Sequence, residues 1–237
     1  MKKFYTLVST QKTDQGYLVT LDSRPVKTAM KSELVAPNEA IANALVSEWS
    51  AQDEDIIPDT MPVTQILNTK IDRIAHERSA IEDYIFKYLD TDLLCYRTDQ
   101  PPELKAAQEQ AWDGYLKWFE EQFGIALETT YGLSALSQPK AAHQAVQTHI
   151  KALDDDDFTV LQLLVSASGS LILPLAALEG KADADEVYAA MRVEENFKAE
   201  IYNEELYGPD PAQEAKDKAI FADIKSALHY LSLLKND

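Results

Sequence analysis

Residues 158–178 read FTVLQLLVSASGSLILPLAAL, the most apolar stretch of a 237-residue chain. Drawn as a helix, this run is apolar on nearly every side, and such a helix has to be surrounded by other elements. Its length is close to what a bilayer crossing needs, but Gln162, Ser166, Ser168, Ser170 and Pro174 interrupt it. Four consecutive aspartates, Asp154 to Asp157, precede it. A buried core helix is therefore the better reading, with no membrane insertion. The aspartate run reads as a solvated turn with a helix N-cap at its end.

The neighbours that such a core helix requires are visible in the periodicity. Leu104, Trp112, Tyr115, Trp118 and Phe119 share one amphipathic face, and Val146, Ile150 and Leu153 share another. Two further helices, about 183–207 and 211–235, are divided by YGPDP, where Gly208, Pro209 and Pro211 break the pattern. Before DQPP at 99–102 the character changes. Tyr5 and Leu7, then Tyr17, Val19 and Leu21, alternate with polar neighbours, and DQG at 14–16 and DSRP at 22–25 supply turns. These predict a small antiparallel meander. Pro37 suits a first helical turn, and Ile41, Leu45 and Trp49 then line one face of a helix that covers the sheet, so Trp49 reads as a core residue. Val63, Ile66, Leu67, Ile71 and Ile74 mark a second helix after Pro62, and Ile81, Ile85 and Leu89 a third. The expected class is α+β. A small N-terminal α/β domain over 1–100, an antiparallel sheet with covering helices, precedes an all-α orthogonal helical bundle over 101–237.

Charge and motif content restrict the function. Forty acidic against twenty-two basic residues give a net charge of −18, a field that repels phosphate backbones and anionic membranes, so nucleic acid is not an expected partner. One cysteine cannot close an internal disulfide, and MKKFYTLVST alternates without opening an apolar run, which points to a cytoplasmic location. Among seven glycines there is no G-x-G pair, and G-x-S-x-G is missing, so neither a dinucleotide fingerprint, a phosphate loop nor a nucleophile elbow is present. The four histidines lack H-x-x-x-H spacing, and no metal site or cofactor is expected.

Two segments carry chemistry. In YLDTDLLCYR, at 88–97, Asp90 and Asp92 flank a turn beside Cys95 and Arg97. The run LLCYR has strand character, with Leu93, Cys95 and Arg97 on one side and Leu94 and Tyr96 on the other. Asp90 or Asp92 would then satisfy turn amides or pair with an arginine, a structural role for Asp90, Asp92 and Arg97. The second segment is 183–217, where eleven acidic residues face three basic ones. Within it VEENFKAEIYNEELYGPD interleaves Glu194, Glu195, Glu200, Glu204 and Glu205 with Phe197, Tyr202, Leu206 and Tyr207. A solvated face needs no such aromatics, whereas a surface that reads a basic partner combines both kinds of residue. The alternative is that Phe197 and one tyrosine pack inward.

LDSRPVKT at 21–28, EWSAQDEDIIPDTMPVTQILNTKID at 48–72, LDTDLLCYR at 89–97, AWDGYLKWFEEQFG at 111–124 and the late EENFKAEIY together resemble the ATP synthase assembly chaperones of the Atp-twelve type. The resemblance implies a non-enzymatic, ATP-independent chaperone. It would bind the free alpha subunit of the F-type ATP synthase catalytic sector, prevent its aggregation and yield it to beta. A bacterial cytoplasm, or the mitochondrial matrix for eukaryotic relatives, is the implied compartment, and a monomer is expected when the chain is free. The family's late motif, with acidic positions implicated in partner recognition, maps onto Glu194, Glu195, Phe197 and, in place of a tryptophan, Tyr202. Glu200 lies within the same motif, and YGPD at 207–210 adds Asp210. Two other readings stay open: a carboxylate hydrolase or lyase using Asp90 with Asp92 or Glu194 with Glu195, and a scaffold for an unrelated basic protein.

Overall fold

The computed structural model describes residues 1–132, 134–201 and 211–235. Strand β1 (Val8–Thr13) pairs antiparallel with β2 (Gly16–Leu21), in register from Val8 opposite Leu21 to Thr13 opposite Gly16. On its other edge β2 takes two short partners in succession, β3 (Arg24–Pro25) and β4 (Val35–Ala36). The β2–β3 connection is the two-residue loop Asp22-Ser23, both with positive φ (47° and 65°), as the right-handed twist of a tight hairpin favours. Asp22 tolerates this because its carboxylate accepts from the Thr6 and Leu7 amides. Gly16 is required for a second reason: a Cβ there would lie 2.2 Å from the Ala36 carbonyl oxygen.

Helix α1 (Glu39–Ser50) begins at Asn38, whose side chain accepts from the Ile41 amide, and packs Ile41, Ala42 and Leu45 onto the sheet. Near its end Glu48 reaches the start of α2 (Pro62–Thr69). One carboxylate oxygen accepts from the Val63 amide at 2.7 Å, the other from Thr64 at 2.8 Å, so a charge on α1 caps α2. From α2 the chain continues through a π-helical turn, Lys70–Ile74, into α3 (Ala75–Phe86) and a 3₁₀ turn to Leu89. The two helices expected between Pro62 and Leu89 are thus one helical path with a local widening. That turn directs Asp72 to Thr28 and Met30, while Lys70 pairs with Asp156.

Among the described residues the remaining helices are α4 (Pro102–Phe123), α5 (Lys140–Ala152), α6 (Asp155–Ser168), α7 (Ile172–Leu178), α8 (Ala184–Met191), α9 (Val193–Ile201) and α10 (Pro211–Leu234). An antiparallel sheet near the N-terminus followed by a mostly helical remainder is the α+β class read from the sequence. The chain folds as two compact units. One comprises Met1–Ser79, Asp154–Val160 and the residues from Ser226 on; the other comprises the described residues of Ala80–Leu153 and Leu161–Lys225.

Four local expectations are corrected. The apolar run is two helices, α6 and α7, because Gly169 turns left-handed (φ 68°) between them. All seven residues of α7 are buried. The aspartate run is the N-cap and first turn of α6, where acidic groups meet the helix dipole. Asp156 is buried within the first unit and accepts from the Tyr230 hydroxyl at 2.6 Å as well as from Lys70; it is not solvated. Residues 93–95 form a 3₁₀ turn and no strand, since the Asp92 side chain caps them through the Leu94 amide; only Tyr96 makes an isolated bridge, to Thr130. Trp49 is half-buried, its ring against Tyr5 and its indole nitrogen without a partner among the described residues.

Candidate partner-binding site

Residues 183–201 of the acidic segment are carried by α8 and α9. Asp183 and Glu186 close a capping box at the start of α8, which accounts for two of its carboxylates locally. Arg192 stands at the break between α8 and α9, and its guanidinium pairs with Asp217 of α10 at 2.6 Å with both side chains mostly buried. Tyr188 stacks at a tilt on Phe221 of the same helix, 4.7 Å between centroids. These contacts fix α8 and α10 together within the second unit.

Helix α9 lies against α4. Its stripe Val193, Asn196, Phe197 and Glu200 recurs at helical spacing and faces Ala107, Gln110 and Ala111 of α4, with Ala189 of α8 also in the lining. Between them runs an open groove of about 340 Å³. On the neighbouring stripe Glu194 accepts from the Gln108 amide at 2.9 Å. Gln108 is fully buried, and its own oxygen accepts from the Thr98 amide, so a framework bond holds the side chain that orients Glu194. Below this level Trp112 is completely buried and donates its indole N–H to the Ala190 carbonyl at 2.8 Å. Burying a ring of that size stabilises by roughly 5 kcal/mol as an upper figure, enough to make α4 and α8 one rigid bed.

Glu195 and Glu200 are exposed, Phe197 is half-buried along the groove, and Ile201 is 61% exposed at the end of α9. The segment therefore shows carboxylates and apolar surface side by side. Lys198 is its one exposed cation among the described residues 183–201, 4.0 Å from Glu194. Tyr202 and Asp210, the other two residues singled out in the sequence, lie outside the described residues.

Asp90, Asp92 and Arg97 sit elsewhere in the same unit, each on its own partners. Asp92 is wholly buried and accepts four hydrogen bonds: Leu94 N–H and Ser170 O–H on Oδ1, Leu171 N–H and Ile172 N–H on Oδ2. It lies at the break between α6 and α7, where the amides that open α7 need an acceptor. Burial pushes its carboxyl above the usual range, and the donors only partly pull it back. Asp90 accepts instead from the Gln138 amide at 2.7 Å and lies 3.0 Å from His143. Arg97 reaches Asp113 at 2.5 Å and the Leu94 carbonyl at 3.1 Å, with its guanidinium 5.9 Å from the Trp112 ring centroid. Its other terminal nitrogen is buried with no partner among the described residues. Cys95 is fully buried, and desolvation raises its thiol to about 12, so it stays protonated at neutral pH. Among the described residues no group of three or more His, Cys, Asp or Glu is placed to hold a metal ion, and no helix is long and apolar enough to cross a membrane.

Sequence reasoning passed over Gln108 and Glu48. Neither type stands out in a polar-rich chain, but a glutamine on the buried stripe between Leu104 and Trp112 is a readable signal, because a buried amide demands partners.

Residues 2–120 match the family model described as ATP12 chaperone protein. Protein ATP12, mitochondrial, of Saccharomyces cerevisiae is 22% identical over 227 residues, covering 81% of this chain and 70% of its own. The crystal structure of Atp12 from Paracoccus denitrificans superposes with a TM-score of 0.90 at 33% identity over 98% of this chain and 97% of that one. The Atu1473 protein of Agrobacterium tumefaciens gives 0.89 at 33% identity, over 98% and 86%.

Proposed function

The chain belongs to the ATP12 chaperone family, and on that premise we propose that it is an assembly chaperone for the F-type ATP synthase. Its client is the free alpha subunit of the catalytic sector, whose assembly surfaces it shields until beta takes them. The observation that carries the reading is the α8–α9 face, where Glu194, Glu195 and Glu200 stand beside Phe197 and the exposed Ile201 on a chain of net charge −18. Such a face suits holding a basic, partly apolar surface, the chemistry this reading assigns to the client. Protection of this kind needs no turnover and no nucleotide. Three carboxylates of the candidate acid–base pairs have partners that fit a framework role: Asp92 is buried on four donors, Asp90 accepts from Gln138 and lies beside His143, and Glu194 accepts from Gln108. The chaperone acts as a monomer in the cytoplasm, a location supported by its bacterial and mitochondrial relatives.

The test is direct. Purified chain is mixed with isolated alpha subunit and light scattering is followed on warming. Equimolar chaperone suppresses the rise without ATP; scattering unchanged at equimolar ratio rejects the reading.

A further inference from the structure

We propose that the groove between α4 and α9 is the seat of one basic amphipathic segment of the client, which inserts a large apolar side chain and sets a lysine or arginine against Glu200. This rests on the chaperone reading above and adds the place and chemistry of contact. Its lining includes the small residues Ala107, Ala111 and Ala189 with Val193, and the ring of Phe197. Small residues on facing helices leave space where larger ones would have filled it. The volume, about 340 Å³, is more than twice the ~150 Å³ that accepts a benzene ring.

Gly114 extends the stripe along α4, three and seven residues beyond Ala111 and Ala107. It sits in mid-helix, where glycine weakens the element relative to alanine. Yet a Cβ at this position would meet no described atom within 4 Å other than its own chain neighbours and the backbone of its own helix. Nothing in the described protein requires the missing side chain, whereas a second backbone crossing α4 would.

The charge around the groove selects the occupant. Glu200 stands at its rim, Glu194 is held one stripe away by Gln108, and Glu195 is exposed. Of the two cations within residues 183–201, Arg192 is bound to Asp217, and Lys198 lies near Glu194. A second copy of the chain would bring another net charge of −18 to the same face, and nucleic acid or an anionic lipid would be repelled likewise. A cationic segment with an apolar anchor satisfies both the lining and the rim.

The experiment measures affinity for purified alpha subunit at low and high salt, with urea midpoints as a check on folding. Ala111→Trp, which fills the groove, and Gly114→Leu, at an exposed position with room for a Cβ, each weaken binding about 30-fold, the loss typical of a blocked anchor pocket. Glu200→Lys weakens it about 10-fold at low salt and flattens the salt dependence. Glu54→Lys, an equal charge change on an exposed side chain of the other unit, changes it less than about 2-fold. Wild-type affinity in folded Ala111→Trp and Gly114→Leu overturns the groove while leaving the chaperone reading intact. If wild type itself does not bind alpha, the chaperone reading fails and the groove with it. A free chain that sediments as a dimer, and as a monomer after Ala111→Trp, assigns the groove to a second copy and likewise overturns the proposal.

Discussion

Replacing Asp92 tests whether the break in the apolar run depends on the number of acceptors or on the charge. Its two oxygens serve three backbone amides and the Ser170 hydroxyl at 2.6 to 3.0 Å, all buried. Asp92→Ala leaves three amides with no acceptor. At about 1–3 kcal/mol for each buried orphan, less what relaxation and entering water recover, the expected loss is about 4 kcal/mol. Asp92→Asn keeps the shape and one oxygen. Turned toward Leu171 and Ile172, that oxygen retains both of their bonds and strands only the Leu94 amide, for a loss of about 1–2 kcal/mol. In urea, with a slope of about 3 kcal/mol/M for a chain of this size, these become midpoint shifts of about 1.3 M and 0.5 M. A Trp49→Phe background leaves Trp112 and Trp118 as the emitters, both in the unit that contains Asp92. The pH dependence has a definite sign. Burial raises the folded-state pKa of Asp92 above the unfolded value near 3.9, so the stability it contributes is complete below about pH 3.9 and declines as pH rises through the folded value. The advantage of wild type over Asp92→Asn is therefore greatest in acid and levels off at higher pH. An Asn variant as damaged as Ala, or an Ala variant within about 0.3 M of wild type, refutes the account by acceptors.

Four smaller outcomes follow from the same geometry. Gly114→Ala raises the urea midpoint, by about 1 kcal/mol of stability, because a mid-helix glycine with open space around it gains propensity and loses no fit. Gln108→Met keeps the volume but strands the half-buried Thr98 amide and releases Glu194; thermal unfolding shows a loss of about 1 kcal/mol, and affinity for alpha falls as well. Tyr230→Phe leaves Asp156 with Lys70 alone and costs about 1–2 kcal/mol, read by equilibrium denaturation of the whole chain. Cys95 alkylates at pH 8 no faster than the chain opens, since its thiol is held near 12; the stability it contributes is full below about pH 8.5 and is lost as pH rises toward 12.

Periodicity made most of the fold legible. Ile41 and Leu45 on α1, Trp112 and Phe119 on α4, and Val146 and Ile150 on α5 are all buried, because a helix interior is set by spacing that a single sequence displays. What spacing could not show was where a helix stops when no proline or charge marks the stop. The path from Pro62 to Leu89 runs through a π turn with no sequence signature, and the run 158–178 divides at Gly169, a residue tolerated in helix interiors as often as it ends them. Asp92 was legible as an acceptor for turn amides, and it does accept from Leu94, but its distant partners were not legible. Its role is fixed by Ser170, Leu171 and Ile172, about eighty residues away, and no local pattern relates them.

The acidic segment was legible for the opposite reason, and the same reason limits what was read there. Excess charge is visible in composition, so Glu194, Glu195 and Glu200 could be selected from the sequence. Which of them a partner meets depends on burial that composition does not contain. Glu194 and Glu200 are six residues apart on one helix, yet one is oriented by a buried glutamine and the other stands at the rim of the groove. The small residues opposite them, Ala107, Ala111 and Gly114, carry no charge, aromatic ring or motif, and as sequence they read only as helix formers and one weak point. A groove consists of what side chains leave empty. It becomes visible only when two helices whose contact no sequence pattern announced are seen to lie against each other, as α4 and α9 do within one compact unit.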